Sequence, residues 1–387
     1  MLPDKFRLQI PGPTPIPPRV QQAMNQPMIG HRDPDCSNMV AQLSQRLGPL
    51  FGTKEPVLLF ASSGTAALEA AVVNTLAPGD EAAVIVSGAF GDRFSKILSR
   101  YDITLHQMDV PWGEACQPEQ LARFLQKHAQ VKAVFLTYCE TSTGVLHPIG
   151  ELAAVIHRET NALVIVDGVS CIGGVESHFD EWGLDILVTG SQKALMLPPG
   201  LSFAAVSPRA WQIIEKNPRP RFYLDFQTYR TNIAKETTPF TPAVSLLFGL
   251  AEVLAMIEEE GFQQVVERHQ LMMRMTRAGI RAMGLTLMTT DTHASPTVTS
   301  VMGDDNGSAD ALRKELRRLS FRVAGGQQHL KGKIFRIGHM GYCDPIDVLT
   351  TIATIEVAAK RLELPVQLGA GIQAAEEELI YVSHTRN

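Results

Sequence analysis

Between residues 56 and 206, short apolar runs alternate with stretches that have the periodicity of amphipathic helices. The apolar runs predict seven strands, at residues 57–61, 82–87, 103–108, 131–138, 163–166, 186–189 and 203–206. Helices are predicted between them at 66–76, 93–100, 118–130 and 149–160. This alternation is typical of an α/β domain whose largely parallel sheet is covered by helices on both faces.

Outside these residues the chain contains further loops and helices, and its C-terminal part predicts a second, smaller unit. A polar loop at residues 29–34 leads into a helix at 37–50, residues 211–235 lack a regular pattern, and a helical stretch from 245 to about 283 is broken at Gly261. Strands at 297–302 and 333–337 with helices at 309–319 and 345–362 then form an α+β unit. The expected organisation is an N-terminal arm (1–20), a large domain (21–255), a small domain (256–365) and a tail (366–387) that forms a surface appendage.

Two of the predicted strands lead to residues whose side chains could bind a cofactor. The strand at 186–189 leads to Lys193 in a loop bounded by glycine and proline, and the strand at 163–166 ends at Asp167. A buried carboxylate needs a cationic partner. Pyridoxal phosphate supplies one, because its pyridinium nitrogen pairs with an aspartate while its aldehyde condenses with a lysine. Considered alone, Lys193 could be an ordinary solvated lysine in a loop. Asp167 alone could be a helix cap. The pair, with the junction described next, favours a Schiff-base lysine.

That junction runs from an apolar strand through Ser63, Gly64 and Thr65 directly into a helix. Free amides and the positive end of the helix dipole at such a turn attract a phosphate, although many helices begin with Ser or Thr and bind nothing. Two further loops follow strands at the same edge of the sheet, where ligands of open α/β sheets gather. Phe90 lies between glycines and offers a face for ring stacking or a simple hydrophobic cap, and Thr141 offers a hydroxyl or forms part of a polar turn.

Three further segments contain candidate ligand contacts. The proline-rich residues 10–18 cannot be helix or central strand, so they predict an extended arm in which Gly12 permits close approach to a ligand. Arg336 lies inside an apolar strand, where its charge requires either a structural ion pair or a substrate carboxylate. His31 and Arg32 belong to the polar loop and are either ordinary loop charges or contacts for a substrate side chain.

Composition excludes several classes of protein. The formal net charge is −5, so the chain lacks the basic character of a nucleic-acid-binding protein. No run reaches the roughly 18 apolar residues of a membrane span. The N-terminus lacks a signal-peptide pattern, so we expect a cytoplasmic protein with neither nucleic-acid nor membrane partners. The five cysteines are scattered, odd in number and without a C-x-x-C pair, which argues against a disulfide framework and a thiolate zinc site; no metal is expected.

Motifs spread over almost the whole chain resemble one family. They are Pro11-Gly-Pro-Thr-x-Ile-Pro-Pro-Arg19, Ser62-Ser-Gly-Thr-x-Ala-Leu-Glu69, Glu140-Thr-Ser-Thr-Gly-Val145, Val166-Asp-Gly-Val169, Gly190-Ser-Gln-Lys-Ala-Leu195, Pro198-Pro-Gly200 and Phe335-Arg-Ile-Gly338. Together they resemble the class-V, fold-type I pyridoxal-phosphate aminotransferases of the alanine/serine–glyoxylate branch. The His31-Arg32 loop and residues 238–245 also look similar to soluble-hydrogenase small-subunit-like members.

The resemblance implies a role for each matching residue. Lys193 would hold the cofactor aldehyde and then move the proton between the substrate α-carbon and cofactor C4′. Asp167 would pair with the pyridinium, Phe90 would stack on the ring and Thr141 would contact its hydroxyl. Ser63, Gly64, Thr65 and Gln192 would bind the phosphate, with Thr241 reaching in from the other subunit of a homodimer. Arg336 and the backbone at Gly12 would bind the substrate carboxylate. Phe240 departs from the family's frequent tyrosine and cannot donate a hydrogen bond to the phosphate.

The implied reaction is transamination between a small L-amino acid, alanine or serine, and a 2-oxo acid, glyoxylate or pyruvate. Anionic amino donors are an alternative, with His31 or Arg32 facing the substrate side chain. A lyase or desulfurase on the same fold is another, and would need a nucleophilic cysteine, for which Cys343 is the nearest candidate. A non-catalytic subunit of a redox assembly is the last, although a scaffold would have no physical need for Lys193 and Asp167.

Overall fold

The computed structural model describes residues 6–304 and 307–384 of the chain. The chain starts with an arm that contains a short strand, β1 (Arg7–Leu8), and a helix, α1 (Pro18–Met24). Two helices follow, α2 (Pro34–Arg46) and α3 (Gly48–Phe51). Proline occupies the first turn of all three helices, where its missing N–H costs nothing.

A seven-stranded sheet forms the centre of the large domain and confirms the predicted α/β fold. Its order is β2-β10-β9-β8-β5-β3-β4, and all neighbours are parallel except β10, which is antiparallel to both β2 and β9. All seven predicted strands are present, and a two-stranded hairpin, β6–β7, follows β5. The strands are β2 (Leu58–Phe60), β3 (Glu81–Val86), β4 (Thr104–Asp109), β5 (Ala133–Thr137), β6 (Cys139–Glu140), β7 (Val145–Leu146), β8 (Leu163–Asp167), β9 (Ile186–Gly190) and β10 (Ser202–Val206).

Helices cover both faces of this sheet. Alternate strand residues point into two different hydrophobic clusters, as Val134 and Phe135 do, so both faces are buried. The helices are α4 (Gly64–Thr75), α5 (Ala89–Leu98), α6 (Pro118–Gln126), α7 (Ile149–Glu159), α8 (Pro208–Ile214) and α9 (Phe226–Ile233). The last two occupy a region expected to be irregular. There Ser207 and Asp225 cap the helices through local hydrogen bonds. Phe226 packs against Phe60, a contact too distant in sequence to read from the local pattern.

The small domain follows a long helix that is interrupted as predicted. Helix α10 (Val244–Glu260) ends at Gly261, whose φ of 87° breaks the helix before α11 (Phe262–Ala282), so the expected boundary between residues 255 and 256 lies inside α10. A four-stranded antiparallel sheet has the order β11-β12-β15-β14. The remaining elements are β11 (Thr286–Leu287), β12 (Val298–Met302), α12 (Ser308–Arg318), β13 (Phe321–Arg322), β14 (Ala324–Gly325), a 3₁₀ turn (Gln328–Leu330), β15 (Ile334–Gly338), α13 (Pro345–Arg361) and α14 (Ala370–His384).

The two ends of the chain both pack on the small domain. Strand β1 pairs in parallel with β13, and the Gly338 amide donates to the Gln9 carbonyl at 2.9 Å, so the arm is held across this domain before it reaches Pro11. The tail differs from the predicted surface appendage. It forms α14, which packs against α11 and α13 with Ala375 fully buried, and the buried Glu356 carboxylate accepts from the Gly371 amide at 2.7 Å. In residues 6–304 and 307–384, no helix is long and apolar enough to cross a membrane.

Candidate active site

Lys193 lies in the loop after β9 and is almost completely buried, with 7% of its surface exposed. Its Nζ donates to the Pro11 carbonyl of the arm, and Thr14 Oγ1 donates to the Lys193 carbonyl at 3.0 Å. A Cβ at Gly12, where φ is 95°, would overlap the lysine side chain. Burial and, after it, the nearby Arg336 guanidinium lower the pKa of Lys193 to about 8. The arm therefore covers a lysine that is easily deprotonated.

Asp167 ends β8, the strand next to β9, and is buried with 3% exposed. Oδ1 accepts a hydrogen bond from the Val169 amide at 2.9 Å. Within the described part of the chain, no lysine, arginine or histidine nitrogen lies within 4 Å of this carboxylate. Burial consequently raises the pKa of Asp167 to about 6. A buried carboxylate of this kind is suited to a ligand that brings its own cationic group.

Arg336, on β15 of the small domain, reaches the hairpin that follows β5. Nη1 donates to the Thr141 carbonyl at 2.9 Å and Nε donates to the Gly325 carbonyl at 3.0 Å. No carboxylate of the described residues lies within ion-pair distance of it, so the structural ion pair considered from the sequence is not observed. Nη2 donates to no described group and is not sealed from solvent, which leaves it free for a ligand. Burial lowers the pKa of Arg336 to about 10.

The Thr141 hydroxyl is also engaged. It lies within hydrogen-bond distance of Ser170 Oγ, three residues after Asp167, and both side chains are buried. The Ser170 carbonyl in turn accepts from Thr297 Oγ1 at 2.7 Å. Hydrogen bonds to the hydroxyl and the carbonyl of Ser170 therefore connect Thr141 to the start of β12 in the small domain.

Ser63, Gly64 and Thr65 form the start of α4, as predicted. Ser63 is the N-cap residue, but its side chain makes no capping hydrogen bond. The Ala66 amide donates to the Ser63 carbonyl at 2.9 Å, while the Gly64 and Thr65 amides precede the first hydrogen bond of the helix. Gly64 lies against Val169, where a Cβ would approach to 3.0 Å. The helix start is therefore next to the strand end that holds Asp167. Gln192 is half-buried directly before Lys193, and its carbonyl accepts from the Thr14 amide at 3.2 Å.

Glu140 holds the first turn of α5, which contains Phe90, a role that the sequence reasoning missed. Its fully buried carboxylate accepts hydrogen bonds from the amides of Phe90 and Gly91, both at 3.0 Å, and from the Ser142 amide at 3.1 Å. Burial raises the pKa of Glu140, while these donors act in the opposite direction. The signal was available, since Glu140, like Asp167, is an acid near the end of an apolar strand, two residues beyond the predicted one at 131–138.

His31, Arg32 and Thr241 form a second group. His31 and Thr241 line a cavity of about 410 Å³. Arg32 Nη1 donates to Thr237 Oγ1 and the Thr238 carbonyl, both at 2.7 Å. Among the described residues of this one chain, no hydrogen bond or ion pair joins these three to Lys193, Asp167 or Arg336.

The Aminotransferase class-V family model matches residues 8–331. The chain belongs to the class-V aminotransferase family. This aminotransferase is 40% identical over 380 residues to the soluble hydrogenase small subunit of Synechococcus sp. (strain PCC 6716), covering 97% of this chain and 99% of that one. It is 35% identical to L-aspartate–glyoxylate aminotransferase of Paracoccus denitrificans (strain Pd 1222), covering 95% and 94% of the two chains. The crystal structure of pyridoxamine-pyruvate aminotransferase from Mesorhizobium loti superimposes with a TM-score of 0.93 at 30% identity and 98% coverage of both chains.

Cys343 does not have the environment of a nucleophile in this aminotransferase. It lies just before α13 with 6% exposed, and burial raises the pKa of its thiol to about 12. A desulfurase would need the thiolate on a mobile loop, so this alternative loses its candidate residue.

Proposed function

We propose that this aminotransferase uses pyridoxal 5′-phosphate to move an amino group from a small L-amino acid, alanine or serine, to a 2-oxo acid, glyoxylate or pyruvate. The observation that supports it most directly is the proximity of Lys193 and Asp167. Both are buried on adjacent strand ends, each close enough to shift the pKa of the other. A non-catalytic subunit would need neither, and each carries a desolvation cost in the absence of a ligand.

The surrounding residues fit the cofactor. Asp167 would pair with the ring nitrogen, Phe90 would lie against the ring, and Thr141 would reach its hydroxyl. Ser63, Gly64, Thr65 and Gln192 would hold the phosphate, for which the uncapped start of α4 is suited. When bound, the cofactor supplies an aldehyde for the lysine and an electron sink for the substrate α-carbon.

The chain's own residues then select and orient the substrate. Arg336, with Nη2 free, would bind the α-carboxylate, and the arm at Gly12 would close the site from the other side. Lys193, whose pKa is lowered to about 8, would take the proton from the α-carbon as a general base. Fixing the carboxylate at one point and the amino group at another orients the Cα–H bond toward that base.

Homodimeric assembly and a cytoplasmic location belong to the same proposal. Thr241 and His31 lie together but make no contact with Lys193 in their own chain, which favours a role in the site of a second subunit. All five cysteines are free, in keeping with a reducing compartment. His31 or Arg32 would then face the substrate side chain of the partner's site. The substitution Arg32→Ala tests that role, since equal catalytic efficiency with every donor would remove it.

The deciding experiment is the visible spectrum of the purified protein loaded with pyridoxal 5′-phosphate. Loss of the cofactor band on adding L-alanine or L-serine, and its return with glyoxylate, would establish the reaction and the donor class together. A band that responds only to other donors would move the assignment to another amino acid. Absence of any band after loading would overturn the cofactor assignment.

A further inference from the structure

Arg93 lies next to Thr65 and Phe90 of the candidate site without a carboxylate partner. It is half-buried on α5, three residues after Phe90, so both side chains are on the same face of the helix. No carboxylate oxygen in residues 6–304 or 307–384 lies within 4 Å of its guanidinium. The neighbouring Asp92 is paired elsewhere, with Lys96 Nζ at 2.6 Å and Gln328 Nε2 at 2.8 Å.

The position of Arg93 is fixed by two contacts with predicted ligand residues. Its Cζ lies 4.8 Å from the centroid of the Phe90 ring, within cation–π distance. Its Nη1 donates a 3.3 Å hydrogen bond to Thr65 Oγ1 in the first turn of α4. The other guanidinium nitrogens donate to no described residue. Arg93 therefore adds a full positive charge to a helix start that is already electropositive.

Its charge also acts on the interior of the site. After burial and Arg336, Arg93 is among the groups that lower the pKa of Lys193, and it opposes the effect of burial on Asp167. Three basic groups, Lys193, Arg336 and Arg93, thus act electrostatically on a region that contains two buried carboxylates, Asp167 and Glu140. This excess of positive charge is compensated when an anionic ligand binds.

We propose that Arg93 is a ligand-binding residue that, with Thr65, holds an anionic oxygen group of a molecule seated against Phe90. This inference rests on the proposed function. Two sources have the required chemistry, the phosphate of the cofactor and the distal carboxylate of a dicarboxylic amino donor. Both groups offer two or more oxygen atoms that can accept a pair of parallel hydrogen bonds from a guanidinium.

The test compares Arg93→Gln with Arg100→Gln, which removes the same charge from an exposed position just beyond the end of α5. Far-UV circular dichroism checks that both variants are folded. Calorimetric titration of the cofactor-free chain uses pyridoxine 5′-phosphate and pyridoxine, which lack the aldehyde and cannot condense with Lys193. Rapid mixing of the loaded protein with L-aspartate or L-alanine then gives the dissociation constant of each donor.

If Arg93 binds the phosphate, Arg93→Gln weakens the binding of pyridoxine 5′-phosphate by roughly tenfold or more and leaves the binding of pyridoxine unchanged. If Arg93 binds a distal carboxylate, the substitution weakens the binding of L-aspartate by a similar factor. The binding of L-alanine and of both pyridoxine compounds then stays unchanged. Arg93→Lys restores part of either loss. Equal behaviour of Arg93→Gln and wild type toward all four ligands would overturn the inference alone. Failure of the wild type to bind pyridoxal 5′-phosphate would overturn the proposed function with it.

Discussion

Arg336 Nη1 donates a hydrogen bond to the backbone carbonyl of Thr141 over 2.9 Å, and this contact joins the small domain to the hairpin that follows β5. The guanidinium is thereby held in one plane by two carbonyls, with Nη2 left over. A substrate carboxylate would bind to a side chain that is already oriented, so little conformational entropy is lost on binding.

Arg336→Lys should therefore weaken substrate binding more than it slows chemistry. A lysine ammonium cannot satisfy both carbonyls and still present a planar donor to a carboxylate. We expect KM for the amino donor and for the oxo acid to rise roughly ten- to hundredfold, with a smaller fall in kcat. Steady-state kinetics for both substrates measures this. Arg317→Lys, on the exposed face of α12, is the matched control, and unchanged KM values for Arg336→Lys would contradict the role.

Asp167→Asn should stabilise the cofactor-free protein and inactivate the loaded one. Burial raises the pKa of Asp167 from 3.8 to about 6, so the folded carboxyl resists ionisation. The resulting penalty is absent below the unfolded pKa, grows as pH rises between the two values and is complete above about 6. The variant removes a penalty on the order of 3 kcal/mol at pH 7 and less at pH 5.

Urea unfolding of cofactor-free wild type and Asp167→Asn at pH 5, 6 and 7 checks this sign. The stability difference should widen with pH. In the loaded enzyme the asparagine cannot neutralise a ring cation, and we expect kcat to fall roughly a hundredfold or more. A variant that is less stable than wild type at pH 7 and equally active would show that Asp167 is only a turn former.

The strands and their end residues were predictable for one physical reason. Strands buried on both faces are continuous apolar runs, so a charged residue at such an end, like Asp167, stands out from its surroundings. The same reasoning applied to Glu140 would have identified the residue that holds Phe90. Arg93 was not found because the predicted helix began at residue 93 and left Phe90 in the loop before it, whereas α5 begins at Ala89 and places both side chains on one face.

Other features depend on contacts between distant segments and leave no local signal. The Pro11 carbonyl that accepts from Lys193 is 182 residues away in sequence. Helix α14 was expected to be an exposed tail because of its acidic cluster. Its start is fixed by Glu356 on a different helix, which accepts from the amides of Gly369 and Gly371.

The pH dependence of Lys193 should differ from that of an ordinary lysine. Its pKa is lowered to about 8, so the reactive neutral amine forms as pH rises through about 8 rather than 10.5. The rate at which the cofactor-free protein reacts with pyridoxal 5′-phosphate should follow this titration. Because Arg336 contributes to the lowering, Arg336→Gln should move the midpoint upward. A midpoint near 10.5 in the wild type, or one that Arg336→Gln leaves in place, would contradict the electrostatic explanation.

Glu140→Gln should loosen the first turn of α5, which positions Phe90. The carboxylate accepts from the amides of Phe90, Gly91 and Ser142 in a site without water access, and a carboxamide would direct its own N–H groups at some of these donors. Leaving buried amides unsatisfied costs roughly 2–4 kcal/mol in the free energy of unfolding. Glu151→Gln, which removes the same charge from an exposed position on α7, should change stability by less than about 0.5 kcal/mol. Because Phe90 would lose its fixed position against the ring, the binding of pyridoxine and of pyridoxine 5′-phosphate should weaken by the same factor. Arg93→Gln, in contrast, should weaken only the binding of the phosphorylated compound if Arg93 binds the phosphate. If Glu140→Gln unfolds at the same urea concentration as wild type, Glu140 does not hold the first turn of α5, and the position of Phe90 must be fixed by the packing of the rest of that helix instead.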